Sequence, residues 1–123
     1  MFFVSHLVGD FGLQTEWQAL NKSGGLGADP EARRALLSHI ATYTVTFVPA
    51  LVWLADDIGG WAALGTAALI ALPHMVQDDG RLVRAYVARV KGTDPDQNAT
   101  VAVMVDQTFH MVALLLLAFL VGT

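Results

Sequence analysis

Between Val101 and Val121 the chain is apolar at every position except Asp106, Gln107, Thr108 and His110. A run of this length reads as a helix able to cross a bilayer. Asp106 and His110 stand four residues apart and therefore share a helix face. An ionisable side chain within a span costs about 2.5–3.5 kcal/mol on insertion scales. That face is therefore expected to point at partners inside a bundle rather than at lipid. Composition agrees: of 123 residues, 54% are hydrophobic and only 15% charged, where soluble proteins carry about 25% charged residues. The length predicts a single domain, 1–123.

Three further apolar segments precede the last one, with spans expected at about 2–20, 35–55, 60–79 and 101–121, and polar loops at 21–34 and 80–100. The first, MFFVSHLVGDFGLQTEWQAL, lacks a basic leading region and a small-residue cleavage site, so no signal peptide is expected. His6, Asp10 and Gln14 recur at i, i+4 and i+8 and draw one polar stripe along it. In the next loop, Asp29 reads as an N-cap, with Pro30 and Glu31 in the first turn of the second span. His39 lies about a turn into that span, and Pro49 is expected to kink it. Asp56, Asp57, Gly59 and Gly60 form a tight turn flanked by Trp53 and Trp61, as at a membrane interface. The third span is rich in Ala and Gly, which lets helices approach closely. In it Pro73 frees a carbonyl near Leu69, and His74 and Asp78 form another i,i+4 pair. RLVRAYVARV then alternates Arg81, Arg84 and Arg89 with Leu82, Val83, Val87 and Val90, the pattern of a short interfacial helix.

All seven basic residues fall in the first and third connections: Lys22, Arg33, Arg34, then Arg81, Arg84, Arg89 and Lys91. The middle turn carries only acids. The positive-inside rule places those two loops in the cytoplasm and both termini outside. The expected fold is thus all-α: an integral membrane four-helix bundle, up-down-up-down, with a short interfacial helix between spans three and four. No cysteine is present, which excludes disulfides, thiolate zinc sites, iron–sulfur ligation and a cysteine nucleophile. Nothing resembles a basic nucleic-acid patch, so no nucleic-acid partner is expected. The expected partners are the lipid bilayer and a second copy or a larger membrane complex.

Counted from the cytoplasmic helix ends, His39, His74, Asp106 and Gln14 lie about 6–9 Å deep, Asp10 and His110 about 15 Å, and His6 about 21 Å, with Asp78 near the surface. Polar residues from four helices thus gather in one half of a small bundle. Imidazole and carboxylate without thiolate suit Zn, Mn or Fe as divalent ions, and helical bundles hold such ions between facing helices. The candidate ligands are His6, Asp10, His39, His74, Asp78, Asp106 and His110. Asp10, His39, His74, Asp106 and His110 form the expected inner set, with His6, Gln14 and Asp78 around them. In a hydrolase, Asp10 or Asp106 would be the general base.

The ordered motifs, HLVGDFGLQ with His6, Asp10, Phe11 and Gln14, then His39, then HMVQD with His74 and Asp78, then DQTFH with Asp106, Gln107 and His110, resemble the bacterial membrane-protein family catalogued as domain of unknown function 3307. The resemblance covers the whole chain. It implies a small multi-pass protein of the bacterial inner membrane, with polar motifs like those of membrane-bound metal-dependent hydrolases, and it brings no established activity. Two other classes stay open on the residues alone. One is a haem-binding electron carrier with His39 and His74 as axial ligands. The other is a non-catalytic subunit or transport element in which Asp and His relay protons or ions.

Overall fold

The computed structural model describes residues 1–122, and among them it is all-α, with seven helices, a π-helical turn and no strand. Helix α1 (Phe2–Leu7) runs directly into the π-turn Val8–Gly12. Gly9 makes this possible: a Cβ there would lie 2.6 Å from Cδ2 of Tyr43, so only glycine lets the segment pack so closely on the second apolar stretch. The helix expected over 2–20 is not continuous. It stops at Leu13, and α2 (Glu16–Asn21) starts afresh from Thr15. The cause is the T-x-x-Q of Thr15–Gln18, a capping box that satisfies helix-start donors in both directions. The Gln18 amide donates to Thr15 Oγ1 (3.2 Å), and the Thr15 amide donates to Gln18 Oε1 (3.0 Å).

Asp29 caps α3 (Pro30–Val45) by accepting from the Glu31 amide at 2.9 Å. Pro49 does more than kink the second apolar segment. Lacking an N–H, it cannot bond the carbonyl of Val45, four residues back, and α3 ends at that residue. Helix α4 (Val48–Ile58) continues at 56° to it. Gly59, in a positive-φ conformation that favours glycine (φ 86°), reverses the chain into α5 (Gly60–Asp78). Pro73 sits inside α5 without breaking it. Gly80 (φ 82°) then turns the chain into α6 (Arg81–Arg89), and α7 (Ala99–Val121) closes the bundle.

Helix α5 is central, packed against α3, α4, α6 and α7. Two apolar clusters bracket the polar residues along α7. Val105 joins Val83 and Val87 on one side, and Leu114 and Leu117 join Phe2, Tyr43, Phe47, Ala50, Leu54 and Ile70 on the other. Asp106, Gln107 and His110 lie between. The first and third connections meet at one end of the bundle: the Gly24 amide donates to the Asp79 carbonyl at 2.9 Å, and the Leu26 amide to Asp79 Oδ1 at 2.8 Å. At that end Arg84 grips Asp96 through two 2.8 Å bonds, and the guanidinium holds the Asp96 carboxyl below the usual carboxylate range.

The outside of the bundle is apolar where the inside is polar. Helix α7 alone is long and apolar enough to cross a membrane, and the bent pair α3–α4 qualifies if taken as one span. Only 22% of the apolar window of α7 is buried. Leu115, Leu116, Phe119 and Leu120 all face outward, and Trp61 at the α4–α5 turn is 89% exposed.

Candidate metal centre

Asp10 comes from the π-turn, His39 from α3, and His74 and Asp78 from one face of α5. Their ligand-bearing atoms converge, and all four residues are buried. His39 Nε2 lies 3.1 Å from Asp10 Oδ1, 2.9 Å from Asp78 Oδ2 and 3.2 Å from His74 Nε2. His74 Nε2 lies 3.3 Å from Asp10 Oδ1 and 3.2 Å from Asp78 Oδ2. One ring nitrogen carries at most one proton, so His39 Nε2 cannot satisfy three such neighbours. A tetrahedral ion with bonds of about 2.0–2.2 Å holds its ligand atoms about 3.3–3.6 Å apart. A shift of a few tenths of an ångström converts this cluster to that geometry, and the donor set of two imidazoles and two carboxylates suits a divalent ion.

Asp78 also faces a second group. Its Oδ1 lies 3.4 Å from His110 Nε2, and Asp78, Asp106 and His110 bring one ligand atom each within 4.8 Å of one another. His110 Nδ1 donates to the Asp106 carbonyl at 2.8 Å. Asp106 is the most open member of the cluster, with 26% of its side chain exposed. Asp78, expected near the surface and at the margin of the set, is instead its centre, because α5 ends against the folded first loop, which covers it.

His6 does not join either group. Its Nδ1 bonds Tyr43 Oη and its Nε2 bonds Gln107 Oε1, both at 3.0 Å, so both nitrogens are in use. Gln107 in turn points Nε2 at Asp106 Oδ2 (3.3 Å) and Asp10 Oδ2 (3.5 Å). Gln14, with its amide oriented to satisfy both neighbours, donates to the Asp10 carbonyl at 3.2 Å and accepts from Lys22 Nζ at 2.6 Å.

Two contributors were invisible as site residues in the sequence. Tyr43 stacks flat on the His74 ring, with centroids 3.5 Å apart and planes 5° apart. Its position one turn after His39 was the available signal. Lys22, which the charge pattern marks only as a topology determinant, turns inward and places Nζ 2.8 Å from Asp78 Oδ2. No local pattern could announce this, because the direction of Lys22 is set by the loop that Asp79 anchors. His39 and His74 touch through their Nε2 atoms, and Tyr43 covers the His74 face. Leu69 and Pro73 line a cavity of about 10 Å³ beside His74, Gln77 and His110, the size of one water.

Fold and site together define an all-helical protein built around a buried histidine–carboxylate cluster that could hold a metal. Residues 1–123 match the model of the family described as "Protein of unknown function (DUF3307)", and the chain belongs to that family. No curated protein and no solved structure matches it.

Proposed function

We propose that this chain is a small integral membrane protein that holds a divalent ion near the cytoplasmic face and hydrolyses a substrate at the membrane surface. The observation that carries this is the cluster itself. His39 Nε2 and His74 Nε2 lie 3.2 Å apart and each within 2.9–3.3 Å of Asp10 and Asp78 oxygens, in the buried interior of the bundle. Interhelical polar contacts return only about 0.6 kcal/mol on average, a weak reason to bury this many ionisable groups.

Four membrane segments in up-down-up-down order account for the exposed apolar surface. The eleven helical residues of α1 and the π-turn rise about 16 Å, part of a hydrocarbon core of about 30 Å, and end at the level of the site. Helices α3 and α4 make one bent segment. The basic connections share one end, which the positive-inside rule assigns to the cytoplasm, and α6 lies there as the interfacial helix.

A bound ion would supply Lewis acidity toward water and an ester oxygen. The ligands are Asp10, His39, His74 and Asp78. Tyr43 and Gln107 hold His6, and Gln107 and Gln14 orient Asp10. Asp106, outside these four ligands, is the carboxylate placed to accept a proton. Elemental analysis of detergent-purified protein tests the metal, beside a His74→Ala/Asp78→Ala variant. Zn, Mn or Fe retained by the wild type and lost in the variant is expected; a wild type without metal refutes the site. Metal-loaded protein that fails to cleave phosphate and carboxylate ester probes would remove the hydrolase and keep the site.

One observation favours a non-catalytic proton path instead: the Lys22 ammonium already neutralises Asp78. In that case the wild type carries no stoichiometric metal, and Lys22 and Asp78 are both needed for ion movement in reconstituted vesicles.

A further inference from the structure

We infer that Asp78 bridges two divalent ions, one held with Asp10, His39 and His74 and a second held with Asp106 and His110. The inference rests on the metal site of the proposed function and extends it. The two oxygens of Asp78 do different things. Oδ2 faces His39, His74 and Lys22. Oδ1 faces His110 and has no hydrogen-bond partner, although Asp78 is buried.

The decisive detail is the tautomer of His110. Its Nδ1 lies 2.8 Å from the Asp106 carbonyl, which can only accept. In the neutral ring the proton therefore sits on Nδ1, and Nε2 presents a lone pair. Nε2 lies 3.4 Å from Asp78 Oδ1, and it too is buried without a partner. Two acceptors facing each other in a dry site are costly. Placing the proton on Nε2 instead would strip Nδ1 of its bond to the carbonyl, and 3.4 Å is longer than an ordinary N–H···O bond. A cation between them resolves the conflict. A ring whose far nitrogen donates to a backbone carbonyl is also how a ligating histidine is normally oriented. Asp106, one helical turn before His110, supplies a third ligand atom from the solvent-facing side.

A carboxylate shared between two ions is the arrangement that clamps both the attacking and the leaving oxygens of an in-line displacement. The substrate class is then a phosphate ester, and Asp106 acts as a ligand rather than as the proton acceptor.

The test is Mn²⁺ binding to the detergent-purified full chain, read by elemental analysis after dialysis and by electron paramagnetic resonance at saturation. Two Mn per chain with an exchange-coupled spectrum are expected for the wild type. His110→Ala should hold one Mn with the spectrum of an isolated ion. Asp106→Asn is the milder variant, at the open edge with 26% of the side chain exposed. It should weaken the second equivalent by about tenfold or more while leaving the first unchanged. One Mn per chain in the wild type, unaltered by either variant, overturns the bridged pair and leaves the single site standing. No Mn in the wild type overturns both.

Discussion

Lys22→Met separates two roles of one side chain. In the metal-free protein the Lys22 ammonium sits 2.8 Å from Asp78 Oδ2, with 16% of the lysine side chain and 1% of the aspartate exposed. Removing one member of a buried pair costs about 3–5 kcal/mol, because the other charge is left behind. Here Lys22 keeps some solvent contact, and His39 and His74 remain beside Asp78, so a loss of about 2–3 kcal/mol is expected for the metal-free state. The ammonium and a divalent ion compete for the same oxygen. Once the ion is bound, Lys22 has been displaced and its substitution costs little. The thermodynamic cycle then requires the variant to bind metal more tightly by the energy it lost, about 30- to 140-fold. Thermal denaturation in detergent with a chelator reads the first effect, and Mn²⁺ or Zn²⁺ titration reads the second. A variant that is destabilised and also binds metal more weakly would show that Lys22 supports the site rather than occupying the ion's place. A variant unchanged in both would show that the pair does not form.

Leu116, 63% exposed on α7, reports what surrounds the bundle. Leu116→Arg should cost about 2.5–3.5 kcal/mol in membrane insertion of the α7 segment, measured by glycosylation mapping, whereas at a water-facing position it would stay within about 0.5 kcal/mol. Gly9→Ala should destabilise by about 1–3 kcal/mol through overpacking against Tyr43, and it should lower metal content because Asp10 is the next residue. A thermal midpoint equal to wild type would contradict the close approach. For Asp96, the Arg84 contact lowers the folded-state value, so its contribution is present above the unfolded value of about 3.9 and is lost as pH falls through the folded one. Carboxyl carbon NMR should give a midpoint below that of the Arg84→Gln variant, and equal midpoints would dismiss the contact.

The all-helical class, the Asp29 cap, the break at Pro49 and the polar face of α7 arise from local physics, and each was legible in the residues that cause it. A proline withdraws a donor wherever it stands, and i,i+4 pairs share a face whatever they pack against. The break at Thr15 was legible too, in its capping box, but was hidden by the apolar stretch around it. The sequence also determined which side chains could gather, since histidine and aspartate in apolar helices must face inward. Only the tertiary structure decided their rank. Asp78 moved from the margin to the centre because the loop anchored on Asp79 folds over the end of α5. That same loop carried Lys22 inward, although its charge alone marked it for the surface. His6 left the candidate ligands because Tyr43 and Gln107, distant in sequence, took both of its nitrogens. Helix periodicity fixes direction within one segment, but the distance between two segments depends on how they pack, and metal chemistry depends on that distance.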